Sequence, residues 1–136
     1  MKTVILDGSN IIRNMYNTAR GLNFEKELVL ADSLVRAVSY LNELDGWRVE
    51  IYFDGPKREI YRPNELVEVF FSKYKTADDL IVNSTEELHE MCGQEVLIVT
   101  QDRQLGIRCQ NYGAQIMSAC DFLSRCHDYI DEFARA

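Results

Sequence analysis

Thr3-Val4-Ile5-Leu6-Asp7-Gly8-Ser9-Asn10 is the stretch that decides the fold. Val4, Ile5 and Leu6 follow one another with no polar alternation, the pattern of a strand buried on both faces of a parallel sheet. The run ends at an aspartate, and Gly8-Ser9-Asn10 then has the composition of a turn and a helix start. The pattern recurs in Val49-Glu50-Ile51-Tyr52-Phe53-Asp54-Gly55 and in Val96-Leu97-Ile98-Val99-Thr100-Gln101-Asp102. In a parallel α/β sheet the carboxyl ends of the strands share one edge, and ligands bind along it. Strand-end aspartates are thereby gathered into one cleft.

Working outward, hydrophobic spacing and breaker residues predict strands at Thr3–Leu6, Arg48–Phe53, Leu66–Phe71, Glu95–Val99 and Ala114–Met117. Helices are predicted from Ser9 or Asn10 to about Arg20, stopped by Gly21, and over Glu27–Leu44, closed by Asp45-Gly46. Leu30, Leu34, Val38 and Leu41 form the buried stripe of the second helix. A third helix, Thr76–Cys92, turns Ala77, Leu80, Ile81, Ser84, Leu88 and Met91 to one face. The fourth spans Gln101–Tyr112, with Gly113 as its C-terminal stop, and a last one, capped by Ser118 or Asp121, reaches about Phe133. Both prolines lie in the loop from Gly55 to Asn64. Strands alternating with helices imply an α/β fold with a mostly parallel sheet and helices on both faces. Right-handed crossovers place the first and fourth strands side by side. That brings Asp7 to Asp102, with Asp78 arriving from the helix before strand four.

A length of 136 residues fits one domain, 1–136. The net charge of −7 argues against a uniformly basic nucleic-acid binder. Cys92, Cys109, Cys120 and Cys126 include no C-x-x-C pair, so they read as free, mostly buried thiols in a reducing cytoplasm. No apolar run approaches the ~20 residues of a membrane span, and the strand residues directly after Met1 predict no signal peptide. G-x-x-x-x-G-K-[ST] and G-x-G-x-x-G are both missing, which removes the P-loop and dinucleotide readings.

The acidic residues carry the chemistry. Carboxylates crowded at one edge raise one another's pKa unless a cation sits among them. Hard oxygen ligands suit Mg²⁺ or Mn²⁺, so the pattern points to a metal-dependent enzyme acting on phosphates. Asp7 serves as a helix-start turn or as a metal ligand; Ser9 or Asn10 already supplies the cap, which favours the ligand. Asn10 orients Asp7, binds phosphate, or caps. Asp78 does not occupy the capping-box position; Asp79 does, with Thr76 as N-cap. Asp102 is either a ligand or the N-cap of the fourth helix, and Thr100 is placed to bond a carboxylate or a phosphate. Asp54 reads as a turn residue before Gly55-Pro56 on a strand expected further from the switch point. His89 and His127 read as surface residues, which leaves no histidine as general base.

Taken together, Ile5-Leu6-Asp7-Gly8-Ser9-Asn10, Phe53-Asp54-Gly55, Phe71-Ser72 with Thr76-Ala77-Asp78-Asp79-Leu80-Ile81, and Val99-Thr100-Gln101-Asp102-Arg103 resemble the YacP-like NYN domains of the PIN-like nuclease superfamily. The resemblance runs from residue 3 to about 125. It implies a three-layer α/β/α PIN-like fold and a Mg²⁺- or Mn²⁺-dependent endoribonuclease. Asp7, Asp78, Asp79 and Asp102 fall on the family's acidic positions and Asn10 on the asparagine of its first motif. Ser9 stands where these domains often carry Tyr, a difference expected to alter substrate stacking rather than metal binding.

The expected reading is a small cytoplasmic ribonuclease in which Asp7, Asp78 and Asp102 hold the metal and Asp79 supports it. Lys57, Arg58, Arg62, Lys73, Lys75 and Arg103 either guide the RNA backbone or are solvated surface charges; Tyr61 and Tyr74 could stack bases, but read first as packing residues. RNA is the implied partner, with the ribosome as a possible setting. The alternative is a non-catalytic RNA- or ribosome-binding module; a structure-specific DNA nuclease is a third reading.

Overall fold

The structure is a computed structural model that describes residues 2–15, 24–45, 47–60, 62 and 65–125. Its elements follow in the order β1 (Lys2–Asp7), α1 (Gly8–Met15), α2 (Phe24–Asp45), β2 (Arg48–Phe53), β3 (Val67–Phe71), α3 (Ala77–Thr85), β4 (Glu95–Val99), α4 (Arg103–Gln110) and β5 (Gln115–Met117). Residues 119–125 begin a further helix, α5. The expected strands and helices are all present. Gly21, the first helix beyond Met15, Gly46, Pro63, Asn64 and the last helix beyond residue 125 lie outside the described residues, as do Tyr61, Cys126 and His127.

The five strands form one sheet in the order β3-β2-β1-β4-β5, and every neighbouring pair is parallel. β1 is central because Val4, Ile5 and Leu6 all need burial, and only an inner strand covered on both faces supplies it. Its side chains alternate. Val4 and Leu6 pack with Ile11, Leu34, Val38 and Phe122, under α1, α2 and α5. Ile5 packs on the other face with Ile81, Ile98, Leu105 and Cys109, under α3 and α4. Full burial of one such aliphatic side chain stabilises by about 1.5–3 kcal/mol. This central triplet therefore fixes which strand lies in the middle and gives the three-layer α/β/α arrangement. No helix among the described residues is long and apolar enough to cross a membrane.

The chain winds from β1 out to β2 and β3, then returns to the opposite side of β1 for β4 and β5. The reversal lies between β1 and β4, where Leu6 is in register with Val99. One step beyond that pair stand Asp7 and Thr100. Gly8 makes the exit from β1 possible: a Cβ there would lie 2.6 Å from Phe53 Cε1 and 2.8 Å from the Tyr52 carbonyl oxygen.

Several expectations change. After Thr85, α3 runs on into a π-helical turn, Glu86–Met91. The wider turn rotates the following residues around the axis, so Met91 faces solvent although α-helical spacing put it on the buried face. His89 is half-buried rather than on the surface. Its ring lies where a Cβ on Gly113 would sit, and its Nδ1 is 2.9 Å from the Gln94 carbonyl oxygen. Gly113 has φ 95°, which suits the C-terminal stop expected of it. Of the described cysteines only Cys109 is buried; Cys92 and Cys120 are exposed, which corrects the expectation of mostly buried thiols. Helix periodicity places Cys109 inward, whereas Cys92 follows the π turn and Cys120 lies on the outer side of α5.

Candidate active site

Asp7 closes β1 and is 4% exposed. Its Oδ2 accepts a 2.9 Å hydrogen bond from Thr100 Oγ1. The same Thr100 oxygen accepts from the Asp102 backbone N–H at 3.0 Å. One buried hydroxyl thus ties the ends of β1 and β4 together and leaves Asp7 and Asp102 as near neighbours. Asn10 Oδ1 accepts from the Gln101 N–H at 2.8 Å. Thr100 Oγ1 also lies 3.5 Å from that amide oxygen, but a hydroxyl has one proton and the short contact to Asp7 takes it. Asn10 is thereby a clasp between α1 and the β4 end.

Burial pushes the Asp7 carboxyl up to about 6, and the negative charges of Asp78 and Asp54 push in the same direction. The Thr100 hydroxyl and the Asn10 backbone N–H oppose them only in part. Asp78, half-buried in the first turn of α3, is also held above the ordinary carboxylate range, by burial first and then by Asp102 and Asp54. Arg108 works against these effects. The Asp78 charge therefore acts on Asp7, and the Asp102 charge on Asp78.

Asp102 is also the N-cap of α4, as its alternative reading held: Oδ1 accepts from the Gln104 and Leu105 N–H groups at 3.0 and 3.1 Å. One carboxylate oxygen is committed to the helix and the other is not. Asp79 is exposed and turned aside. Its Oδ1 accepts from Arg108 at 3.1 Å, and chiefly through that bond its carboxyl sits below the usual range. Thr76 caps α3 by accepting from the Asp79 N–H at 3.2 Å.

Asp54 belongs to this edge as well, which corrects its assignment to a remote turn. β2 pairs directly with β1, so its terminal aspartate is beside Asp7 rather than a strand further away. Its Oδ1 accepts from the Ala77 N–H at 2.9 Å, which seats the start of α3. Its Oδ2 lies 3.6 Å from Arg13, and its N–H donates to Ser9 Oγ. The signal was present in the repeated strand-Asp-Gly pattern; strand order, which only the sheet supplies, was missing. Arg13 was not foreseen at all, since a helix arginine carries no motif.

The donors are all hard oxygens, with no sulfur or imidazole among them, which is the chemistry Mg²⁺ and Mn²⁺ require. Among the described residues, however, no group of three or more Asp, Glu, His or Cys side chains stands close enough together to hold a metal ion. Asp7, Asp78 and Asp102 share an edge without closing into a cage. Asp7 accepts from Thr100 and Asp102 from the first turn of α4, and like charges favour separation.

The candidate cations divide. Arg58 is a packing residue: its side chain is 8% exposed, pairs with Glu27 at 2.8 Å, lies over the Phe71 ring, and donates to the Asp54 carbonyl oxygen at 2.7 Å. Arg62 is exposed and donates to the Val67 carbonyl oxygen at 3.3 Å. Lys57 and Lys73 line a cleft of about 350 Å³ together with Pro56 and Tyr74. Lys75 is exposed on the same turn. Arg103 lines a second cleft, of about 310 Å³, that opens beside Thr100 and Asp102 and is floored by Ile107 and Ile116.

Residues 4–135 match the YacP-like NYN domain. The fold is similar to that of Rae1 (YacP) from Bacillus subtilis in two solved structures, at 24% identity in each. A mutant form superposes with a TM-score of 0.76 over 99% of this chain and 80% of that one. A second structure gives 0.72 over 99% and 79%. No match was found among curated proteins. With its parallel sheet and its acidic edge, the chain belongs to the YacP-like NYN family of the PIN-like nuclease superfamily, whose members are nuclease-type hydrolases.

Proposed function

We propose that this chain is a divalent-metal-dependent endoribonuclease working as one domain over residues 1–136. The observation that carries the reading is Asp7. A carboxylate 4% exposed, with its pKa driven to about 6 by burial and by two like charges, is unfavourable for folding. Such a group is explained by a cation that neutralises it in use. Asp7, Asp78 and the uncommitted oxygen of Asp102 are the residues that would hold Mg²⁺ or Mn²⁺, with Asp54 and Asp79 beside them. When bound, the ion supplies Lewis-acid polarisation of the phosphodiester and activation of water.

The remaining work falls to this chain's own side chains. Thr100 fixes the rotamer of Asp7 and the position of Asp102 through one hydroxyl. Asn10, with its oxygen held by the Gln101 N–H, presents its amide NH₂ as a donor for a phosphate oxygen. Arg103 and Arg108 border the acidic edge, placed to attract the RNA backbone despite the net negative charge.

The separation of the carboxylates favours a second reading, an RNA- or ribosome-binding module that cuts nothing. One experiment decides between them. Unpaired RNA is incubated with wild type, Asp7→Asn and Asp78→Asn protein, with Mn²⁺ or with chelator. Internal cleavage that requires Mn²⁺ and disappears in both variants supports the nuclease. Tight binding without cleavage under any metal supports the module.

A further inference from the structure

Residues 72–75 join β3 to α3 in a tight turn that is zipped to the loop after β2. The Ser72 N–H donates to the Phe53 carbonyl oxygen at 3.0 Å, the Lys73 N–H to that of Gly55 at 2.8 Å, and the Gly55 N–H to Ser72 Oγ at 3.0 Å. The Lys75 N–H closes the turn on the Ser72 carbonyl oxygen at 3.0 Å. Within it Lys73 has φ 58°, a conformation that disfavours any side chain with a Cβ. The consequence is the position of Tyr74. Its side chain is fully exposed, so its ring adds no burial energy to the fold. Tyr74 lines a cleft together with Pro56, Lys57 and Lys73. On a chain of net charge −7, this is a concentration of positive charge around one bare aromatic ring. Tyr74 is four residues before Asp78, so no more than about 14 Å of extended backbone separates it from the acidic edge.

We propose that Tyr74, Lys57 and Lys73 form a platform that stacks one unpaired base of single-stranded RNA and grips the adjacent phosphates, laying the strand along the acidic edge. The inference rests on the reading that RNA is the substrate and deepens it: the substrate is unpaired where it crosses this turn. A ring of this kind takes any base, because each offers a π-face. A duplex keeps its bases stacked on one another and offers this ring nothing to receive.

The test measures binding of a fluorescent unpaired RNA oligonucleotide in chelator, where nothing is cut, and separately cleavage in Mn²⁺. Tyr74→Ala is expected to weaken binding about 5- to 150-fold, the range for one base–aromatic stack, with thermal unfolding unchanged because the side chain is fully exposed. Tyr74→Phe keeps the stack and is expected to bind near wild type. Tyr74→Trp is expected to bind as well, with its indole emission, above the Trp47 background, quenched by RNA. Lys73→Gly suits the positive φ and removes one charge; it is expected to lower the salt slope of affinity by about 0.7 if one phosphate contact is lost. Unchanged affinity in Tyr74→Ala overturns the proposal, as does an unquenched Tyr74→Trp protein or equal, Tyr74-dependent binding of duplex RNA. Tyr74-dependent binding by a protein that never cuts sinks the nuclease reading and leaves the platform standing. Metal-dependent cutting with Tyr74-independent binding does the reverse.

Discussion

Asp7→Asn is expected to stabilise the metal-free protein at neutral pH. The Asp7 carboxyl rises from 3.8 unfolded to about 6 folded. The folded state therefore holds this proton more tightly than the unfolded chain does. The resulting stability is fully present below pH ~3.8 and is lost as pH climbs through about 6. At 1.36 kcal/mol per pH unit, the charged carboxylate costs about 3 kcal/mol at pH 7 relative to acid. Asparagine carries no charge, and its oxygen can still accept from Thr100. The variant should thus gain up to about 3 kcal/mol at pH 7, roughly 10 °C in Tm for a chain of this size. The gain should shrink toward pH 4. Asp78, whose carboxyl is also held high, titrates in both proteins, so the difference between them reports Asp7 together with its coupling to Asp78. The assay is urea unfolding from pH 4 to 8 in chelator, then repeated with Mn²⁺. Mn²⁺ should stabilise the wild type by about 2.7 kcal/mol at one hundred times its Kd, and the variant much less. A variant less stable than wild type by the same amount at every pH would refute the reasoning, because Asp7 would then be a hydrogen-bond acceptor and nothing more.

Three further outcomes follow from particular contacts. Asp102→Ala should cost about 1 kcal/mol through loss of the α4 cap, whereas Asp102→Asn should keep the cap and stability while losing Mn²⁺-dependent cleavage; calorimetry beside a cleavage assay reads both. Arg58→Ala should destabilise by about 2–4 kcal/mol, because it strips Glu27 of its partner in a mostly buried setting and bares Phe71; a change under ~0.5 kcal/mol in denaturant unfolding would return Arg58 to the surface. Gly8→Ala must push against Phe53 and the Tyr52 carbonyl, so a loss of about 1–3 kcal/mol should accompany reduced cleavage as the Asp7 turn shifts.

The local chain determined the element order, the central place of β1, the Thr76 and Ser118 caps and the Gly113 stop, because each depends on near neighbours in sequence. Burial demand and capping are written in the identities of adjacent residues. It also marked Asp7, Asp78 and Asp102 as companions, since strand ends in a parallel sheet share an edge. Only the tertiary structure decided what each acid does there. Whether Asp54 joins the edge depended on β2 lying beside β1, a fact of strand order that no local pattern contains. Arg58 and Lys57 are adjacent in sequence and look alike. Glu27 and Phe71, distant along the chain, draw Arg58 inward and leave Lys57 facing the cleft. Tyr74 looked like packing until the turn at Lys73 set its ring in solvent. Charges and rings take their roles from the partners and turns that folding assembles around them, which no local stretch of sequence displays.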